Sequence, residues 1–529
     1  MALRFVLGRS GAGKTRYCID EIRAKLRTEP DGPPLIMLVP EQATFQTEYE
    51  MLRESTRPGT IRAQALSFRR LAFRVMQETG GTALVPIDEN GKNMLLYKLM
   101  HRLSADLKLF QGAGSQPGFI ERLGELLTEW KRYGVDSGQL ADVTTNAHPA
   151  ADAAASPLLA NKMHDLKLLY QALELETAHL YADAEDYLTY LARGFALSAA
   201  VAGAEIWIDG FHGFTPKEYE ALAAIIGAST NVTIALTLDR PYEAGEQPHE
   251  LELFHPTAET FIKLRELAEL NSVPILDTIT LSSPTLPRFE GRAALAHAER
   301  SYASRRPMPS AISTEAMFDP EQPAGEISLH AAPNRRTEAE AAIRDMVRRA
   351  REEGMRWRDM AVMVRNATDY TDYLTELMHD YGIPYFLDQK RTASHHPLVE
   401  FIRSALETVL HGWSYDAVCR CMKTELLFPD SSESRLTRES FDLLENYALA
   451  AGIDGWRWCD KKSWKPLVRE SLDNEEAVEA SKSELARFQV VLEAREAIVA
   501  PLQRFGDALR SAKDVRSMCM ALYRLLERA

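Results

Sequence analysis

Leu3-Arg4-Phe5-Val6-Leu7-Gly8-Arg9-Ser10-Gly11-Ala12-Gly13-Lys14-Thr15 joins a short apolar run to a glycine-rich turn, and Tyr17, Ile19, Ile22 and Leu26 follow at helical spacing. Strand, loop and helix are therefore expected in that order, with Gly8 to Thr15 fitting G-x-x-x-x-G-K-[ST]. In that pattern glycines let backbone amides turn toward phosphates, the lysine reaches the outer phosphates, and the hydroxyl coordinates magnesium. A plain glycine turn is the alternative. A strand before the loop and a helix after it are the context that phosphate binding requires, and both are present in the pattern.

Outward from this loop, Leu35-Ile36-Met37-Leu38-Val39 is a second apolar run, ending at Pro40, and two more occupy 204–209 and 231–239 with a helical stretch between them. Alternation of this kind predicts an α/β fold with a parallel sheet. From about Asn90 to Leu191 the pattern is almost entirely helical, interrupted by an Ala-rich polar stretch near 146–156. The first domain is thus expected to be discontinuous, 1–90 plus 200–281, around a helical insertion at 91–199. Residues 282–325 are rich in Pro, Ser and Ala and read as a linker. A second α/β unit is expected at 326–397, with strands at 327–331, 360–364 and 385–387 and a charged helix from Thr337 to Glu352, before a helical region at 398–529.

A chain of 529 residues exceeds what one core organises. No apolar run approaches the roughly 20 residues of a membrane span, and the first residues lack the pattern of a signal peptide, so a cytoplasmic protein is expected. Five cysteines, sparse and odd in number, suit a reducing compartment better than a disulfide framework, and Cys419 and Cys421 form C-x-C, which is not a zinc spacing. With 62 basic against 76 acidic residues the net charge is −14, so a nucleic acid would have to be met by a local patch. Residues 517–529 read as helix with no cap and no polar tail, and the sequence is expected to continue further.

Nucleotide hydrolysis needs an acidic residue at the end of another strand to hold magnesium, and usually a carboxylate beside it to orient water. Asp209, closing Ile206-Trp207-Ile208-Asp209, supplies the first, although a turn-capping role is open to it as well. Gly210 occupies the place of the second. ATP binding, with Mg2+ on Thr15 and Asp209, is therefore expected without turnover. Arg57, Arg62, Arg69, Arg70 and Arg74 alternate with Phe68 and Phe73 in a stretch free of acidic residues. Arginines on phosphates and rings stacked on bases suit single-stranded nucleic acid, while an ordinary amphipathic helix with solvated arginines explains the same pattern. Gln42, Thr44 and Gln46 are able to hydrogen-bond base edges, and Thr44 equally to cap a helix. His395 and His396 lack further ligands at metal spacing.

The second unit carries Trp357-Arg358-Asp359-Met360-Ala361-Val362-Met363-Val364-Arg365 and Tyr381-Gly382-Ile383-Pro384-Tyr385, which resemble the second motor domain of superfamily 1 DNA helicases. Together with Gly8–Thr15, Leu38-Val39-Pro40-Glu41-Gln42, Leu66-Ser67-Phe68, Ile208-Asp209-Gly210-Phe211 and Asn334-Arg335-Arg336-Thr337-Glu338, the order is similar to the B subunit of AddAB-type helicase-nucleases over essentially the whole chain. The resemblance implies two P-loop (RecA-like) helicase-type domains with large helical insertions, in a motor that has lost its function. It implies a heterodimer with an A subunit that is the active helicase, acting on double- and single-stranded DNA in bacterial double-strand-break repair by homologous recombination. Capture of a hotspot (Chi) in the emerging single strand is then this subunit's task, at positions matching Gln42, Thr44, Phe68, Arg70, Phe73 and Phe211. The family also has a C-terminal exonuclease domain with a magnesium site and a 4Fe-4S cluster. Neither can be assigned to the residues or the five cysteines of this chain. Two rivals remain: an active translocase using Asp209 with Arg335 or Arg336 as charge stabiliser, and a nucleotide kinase with helical appendages.

Overall fold

The computed structural model describes residues 1–53, 61–80, 84–138, 140, 157–178, 180–283, 286–307, 327–387, 393, 395–429, 435–466 and 482–527. Arg57, the polar stretch at 146–156 and the later part of the expected linker, 308–325, lie outside the described residues. The chain divides into two units, Met1–His330 and Ala331–Ala529.

The first unit is built on a parallel sheet of β1 (Leu3–Gly8), β2 (Leu35–Leu38), β3 (Ala63–Leu66), β6 (Glu205–Ile208), β7 (Asn231–Thr237) and β8 (Ile279–Thr280), in the order β3-β2-β6-β7-β1-β8. Apolar runs without polar alternation mark strands buried on both faces, and the packing shows why. Leu3, Phe5 and Leu7 of β1, Ile36 and Leu38 of β2 and Ile206 and Ile208 of β6 enter one core. Val6, Leu35, Met37 and Trp207, the intervening residues, enter another. Helices α3 (Phe68–Thr79), α7 (Ala184–Gly194), α8 (Pro216–Ala228) and α9 (His255–Leu270) cover the first face, and α1 (Lys14–Thr28) with α2 (Thr44–Arg53) the second.

Between β3 and β6 the chain leaves the sheet to form α4 (Glu89–Arg102), α5 (Pro117–Arg132) and α6 (Pro157–Thr177) around a core of their own that includes Leu96, Leu99, Ile120, Leu123, Leu166 and Leu169. A short parallel ladder of β4 (Val85–Pro86) with β5 (Tyr181–Ala182) closes the base of this excursion. Asp165, fully buried on α6, accepts the backbone amides of Lys108 at 2.8 Å, Leu109 at 2.7 Å and Phe110 at 2.9 Å, fixing the α4–α5 connection. Among the described residues no helix is long and apolar enough to cross a membrane.

In the second unit, α11 (Arg335–Glu352) and α12 (Thr371–Asp380) share a small core of Ala339, Ile343, Leu377, Met378 and Ile383. A larger core, with Phe401, Phe441, Trp458, Ile498 and Leu502, gathers α13 (Pro397–Leu410), α14 (Tyr415–Lys423), α15 (Arg438–Ala450), α16 (Lys482–Ser511) and α17 (Val515–Leu526). The expected helix is present. The strands expected at 327–331, 360–364 and 385–387 are not: the described residues of this unit form no strand, and the second P-loop domain expected from the sequence is not confirmed by them. Apolar runs create strand preference, but a strand exists only where a neighbour takes its amides and carbonyls, and Leu329, Met363 and Phe386 are each more than nine-tenths exposed.

Candidate functional site

Because every strand of the main sheet runs the same way, the segments that follow β1, β2, β3 and β6 emerge along one edge. In open α/β sheets that carboxyl edge is where ligands bind. Gly8–Thr15 leaves β1 there and enters α1, with Gly13 as the residue before the helix in left-handed backbone at φ 91°. No side chain caps this helix and its first turn holds no acidic residue, so its leading amides and the positive end of its dipole are free to face an anion.

The Lys14 ammonium donates to the carbonyl oxygens of Gly8 at 2.8 Å and Arg9 at 3.1 Å, curling back across the loop. Burial lowers its pKa, an effect opposed by the Asp209 carboxylate and reinforced by the Arg288 guanidinium. Thr15 donates its hydroxyl proton to Asp209 Oδ2 at 2.6 Å across 194 residues of sequence. Burial pushes the Asp209 pKa up, while the Thr15 hydroxyl and Lys14 hold it down. A hydroxyl and a carboxylate converging on one point beside the loop suit a magnesium ion, which fills its remaining sites with phosphate oxygens and water. Among the described residues no group of three or more His, Cys, Asp or Glu side chains is arranged to hold a metal.

Gly210 has φ +85°, and a Cβ added there would stand 3.1 Å from Cδ of Pro40. A carboxylate-bearing residue at this position would meet both left-handed strain and the proline ring.

Farther along the same edge lie the residues expected to meet DNA. Gln42 is exposed in the turn Glu41–Ala43 after β2. Thr44 is buried and donates to the Glu41 carbonyl at 2.9 Å. Arg70 is exposed with no side-chain ion pair among the described residues, and Phe73 is 55% exposed one helical turn further on. Phe68 is only 7% exposed and takes part in the first core. Its ring meets those of Phe211 at 5.6 Å and Phe214 at 6.2 Å, so it supports the half-buried Phe211 from beneath. The structure therefore brings Gln42, Arg70, Phe73 and Phe211 to or near the surface and sets Thr44 and Phe68 behind them.

Sequence reasoning passed over three features. Phe45 and Tyr49 are exposed aromatics on α2, four residues apart, a spacing visible in the sequence. Arg288 and Phe289 pack on Gly11, and Glu299 pairs with Arg9 at 2.7 Å. These last residues sit in a Pro- and Ala-rich stretch whose composition signals a linker. Cys18, Cys419 and Cys421 are buried, Cys459 is partly buried and Cys519 is exposed. Burial raises the Cys419 thiol to about 11 and the Cys421 thiol to about 12.

The family described as "ADDB, N-terminal" matches residues 5–299. The chain is 42% identical over 528 residues to the B subunit of the ATP-dependent helicase/deoxyribonuclease of Geobacillus kaustophilus, covering all of this chain and 44% of that protein. It is 43% identical over 530 residues to the protein of the same name from Heliobacterium modesticaldum, covering 99% of this chain and 41% of that one. The chain thus spans less than half the length of these relatives. With a family match that contains the glycine loop, Asp209 and the whole carboxyl edge, and with identity sustained along its full length, the chain belongs to the AddB family of helicase/deoxyribonuclease B subunits.

Proposed function

We propose that this chain binds ATP with Mg2+ in a site that no longer turns it over, and holds single-stranded DNA along the carboxyl edge of its sheet. The observation that carries the nucleotide half is the meeting of Thr15 and Asp209 at 2.6 Å beside an uncapped helix start. Thr15 and Asp209 would hold the ion, which neutralises phosphate charge when bound. Lys14, released from the Gly8 and Arg9 carbonyls, would turn to the phosphates, and the amides at the start of α1 would orient them. Gly210, left-handed and pressed on Pro40, leaves no carboxylate beside Asp209 to activate water.

The names of the relatives support a partner subunit and an ATP-dependent helicase/deoxyribonuclease complex. Within it, this chain takes the B position alongside a helicase A subunit, in the bacterial cytoplasm, during double-strand-break repair by homologous recombination. Its carboxyl edge scans the emerging strand for the Chi hotspot with Gln42, Arg70, Phe73 and Phe211, which the buried Thr44 and Phe68 support from behind. The family's 5′–3′ exonuclease, with its magnesium site and 4Fe-4S cluster, is assigned to none of these 529 residues. The test is phosphate release by the isolated chain with and without single-stranded DNA. Binding of ATP without release is expected, and DNA-stimulated turnover that disappears in Lys14→Ala would establish a working motor instead.

A further inference from the structure

Residues 286–301 follow β8 and would be read from composition as connecting chain, yet they form a wall against the P-loop. A 3-10 turn at Pro287–Phe289 leads into α10 (Ala293–Ser301). The Arg288 amide donates to the Gly11 carbonyl at 3.4 Å. A Cβ at Gly11 would stand 3.0 Å from both Arg288 Cβ and the Phe289 ring, so only a glycine lets the two segments approach this closely. From the far end of the strap, Glu299 takes Arg9 twice, Nε on its carboxylate at 2.7 Å and Nη2 on its carbonyl at 2.6 Å. The Arg9 guanidinium also lies 5.5 Å from the Phe254 ring centre.

The charges at the loop are thereby divided unequally. Arg9 is neutralised by Glu299, whereas Arg288 is exposed and makes no ion pair among the described residues, although it is close enough to Lys14 to lower that lysine's pKa. Lys14 and Arg288, whose Cβ packs on Gly11, thus put two cations at one loop, where like charges repel each other. Beside the loop, against Arg9 and Ser10, is an open cleft of about 500 Å³, lined also by Phe254, Phe289, Glu299 and Tyr302 among others but by neither Lys14 nor Arg288, a volume within the range of small-ligand sites.

We propose that Arg288 is a second phosphate ligand of the P-loop, carried by the 286–301 strap, which forms the outer wall of the nucleotide site. This rests on the nucleotide-binding function proposed above. An arginine is suited to the role because its planar fork engages two phosphate oxygens at once and keeps its charge at any working pH.

The test is calorimetric titration of Mg·ATP into the 529-residue chain, its Arg288→Ala and Arg288→Lys variants, and Lys14→Ala, with a thermal melt of each. Arg288→Ala is expected to weaken binding roughly tenfold, as loss of one charge-assisted contact would, and Arg288→Lys to recover part of it. Lys14→Ala should weaken binding further. Wild-type or tighter affinity in Arg288→Ala, with binding lost in Lys14→Ala, overturns the strap as a ligand-bearing wall and leaves the P-loop site standing. Undiminished affinity in Lys14→Ala removes the nucleotide site itself. Arg288 is at the surface, so an unchanged melt is expected and keeps the affinities comparable.

Discussion

Asp209 is asked to be buried and ionised at once. Burial raises its pKa, and the Thr15 hydroxyl and Lys14 only partly offset that, so ionisation in the folded chain begins above the ordinary aspartate range of about 3.9. A raised folded pKa favours the folded state at low pH and withdraws that advantage as pH climbs through it, so the ionised site is held at some cost in stability. Magnesium needs the ionised form. Mg·ATP affinity is therefore expected to fall on acidification at a pH higher than an exposed aspartate would give, and Asp209→Asn to bind weakly with no such acid limb, as read by titration between pH 4 and 8. At the next residue, Gly210→Glu would restore the missing carboxylate but place it at φ +85° against Pro40. A loss of about 1–3 kcal/mol in urea unfolding is expected, without recovered phosphate release. Rapid turnover in that variant would show that the backbone there yields more easily than its geometry implies.

Elements were legible where one local rule governed them. The strands β1, β2, β6 and β7 are apolar because each is covered on both faces, and the glycine loop carries its own signature. The pairing of Thr15 with Asp209 followed from the motif's chemistry, since nothing in a separation of 194 residues marks the two as neighbours. α10 and the turn before it were hidden because their docking depends on Arg9 and Gly11, about 280 to 290 residues earlier, and their own composition suggests a connector. Phe68 and Phe73 look alike in sequence, and only packing separates them, one supporting Phe211 in the core and the other facing solvent. The expected strands of the second unit failed for the opposite reason, a local preference with no pairing partner among the described residues. Asp165 offers an element-scale test. Three backbone amides converge on it, and although burial works to raise its pKa, their bonds bring it below the usual aspartate range. Asp165→Ala should cost about 3 kcal/mol or more by leaving these amides unmet, and should raise hydrogen exchange at 108–110 ahead of the sheet.

At the scale of the whole molecule, a net charge of −14 would leave the proposed DNA attraction to the local arginines, among them Arg69 and Arg70, both exposed. In the proposed complex with a helicase A subunit, Arg70→Ala is expected to weaken hotspot capture while end unwinding continues. Phe73→Ala alone, at a surface position, should leave the melting temperature unchanged and lower single-strand affinity by roughly 5- to 100-fold, the worth of one stacked base. Unaltered capture and affinity in these variants would move the strand's path away from this edge.

Asp209 and Phe211 flank Gly210, which is wedged against Pro40, so the carboxylate proposed to hold the nucleotide's metal and the ring proposed to meet the strand belong to a single turn. If both ligands bear on that turn, linkage makes their influence mutual: the factor by which nucleotide alters the grip on DNA is the factor by which DNA alters the grip on nucleotide. A triphosphate that is never spent then acts as a tension setting on the strand rather than as fuel.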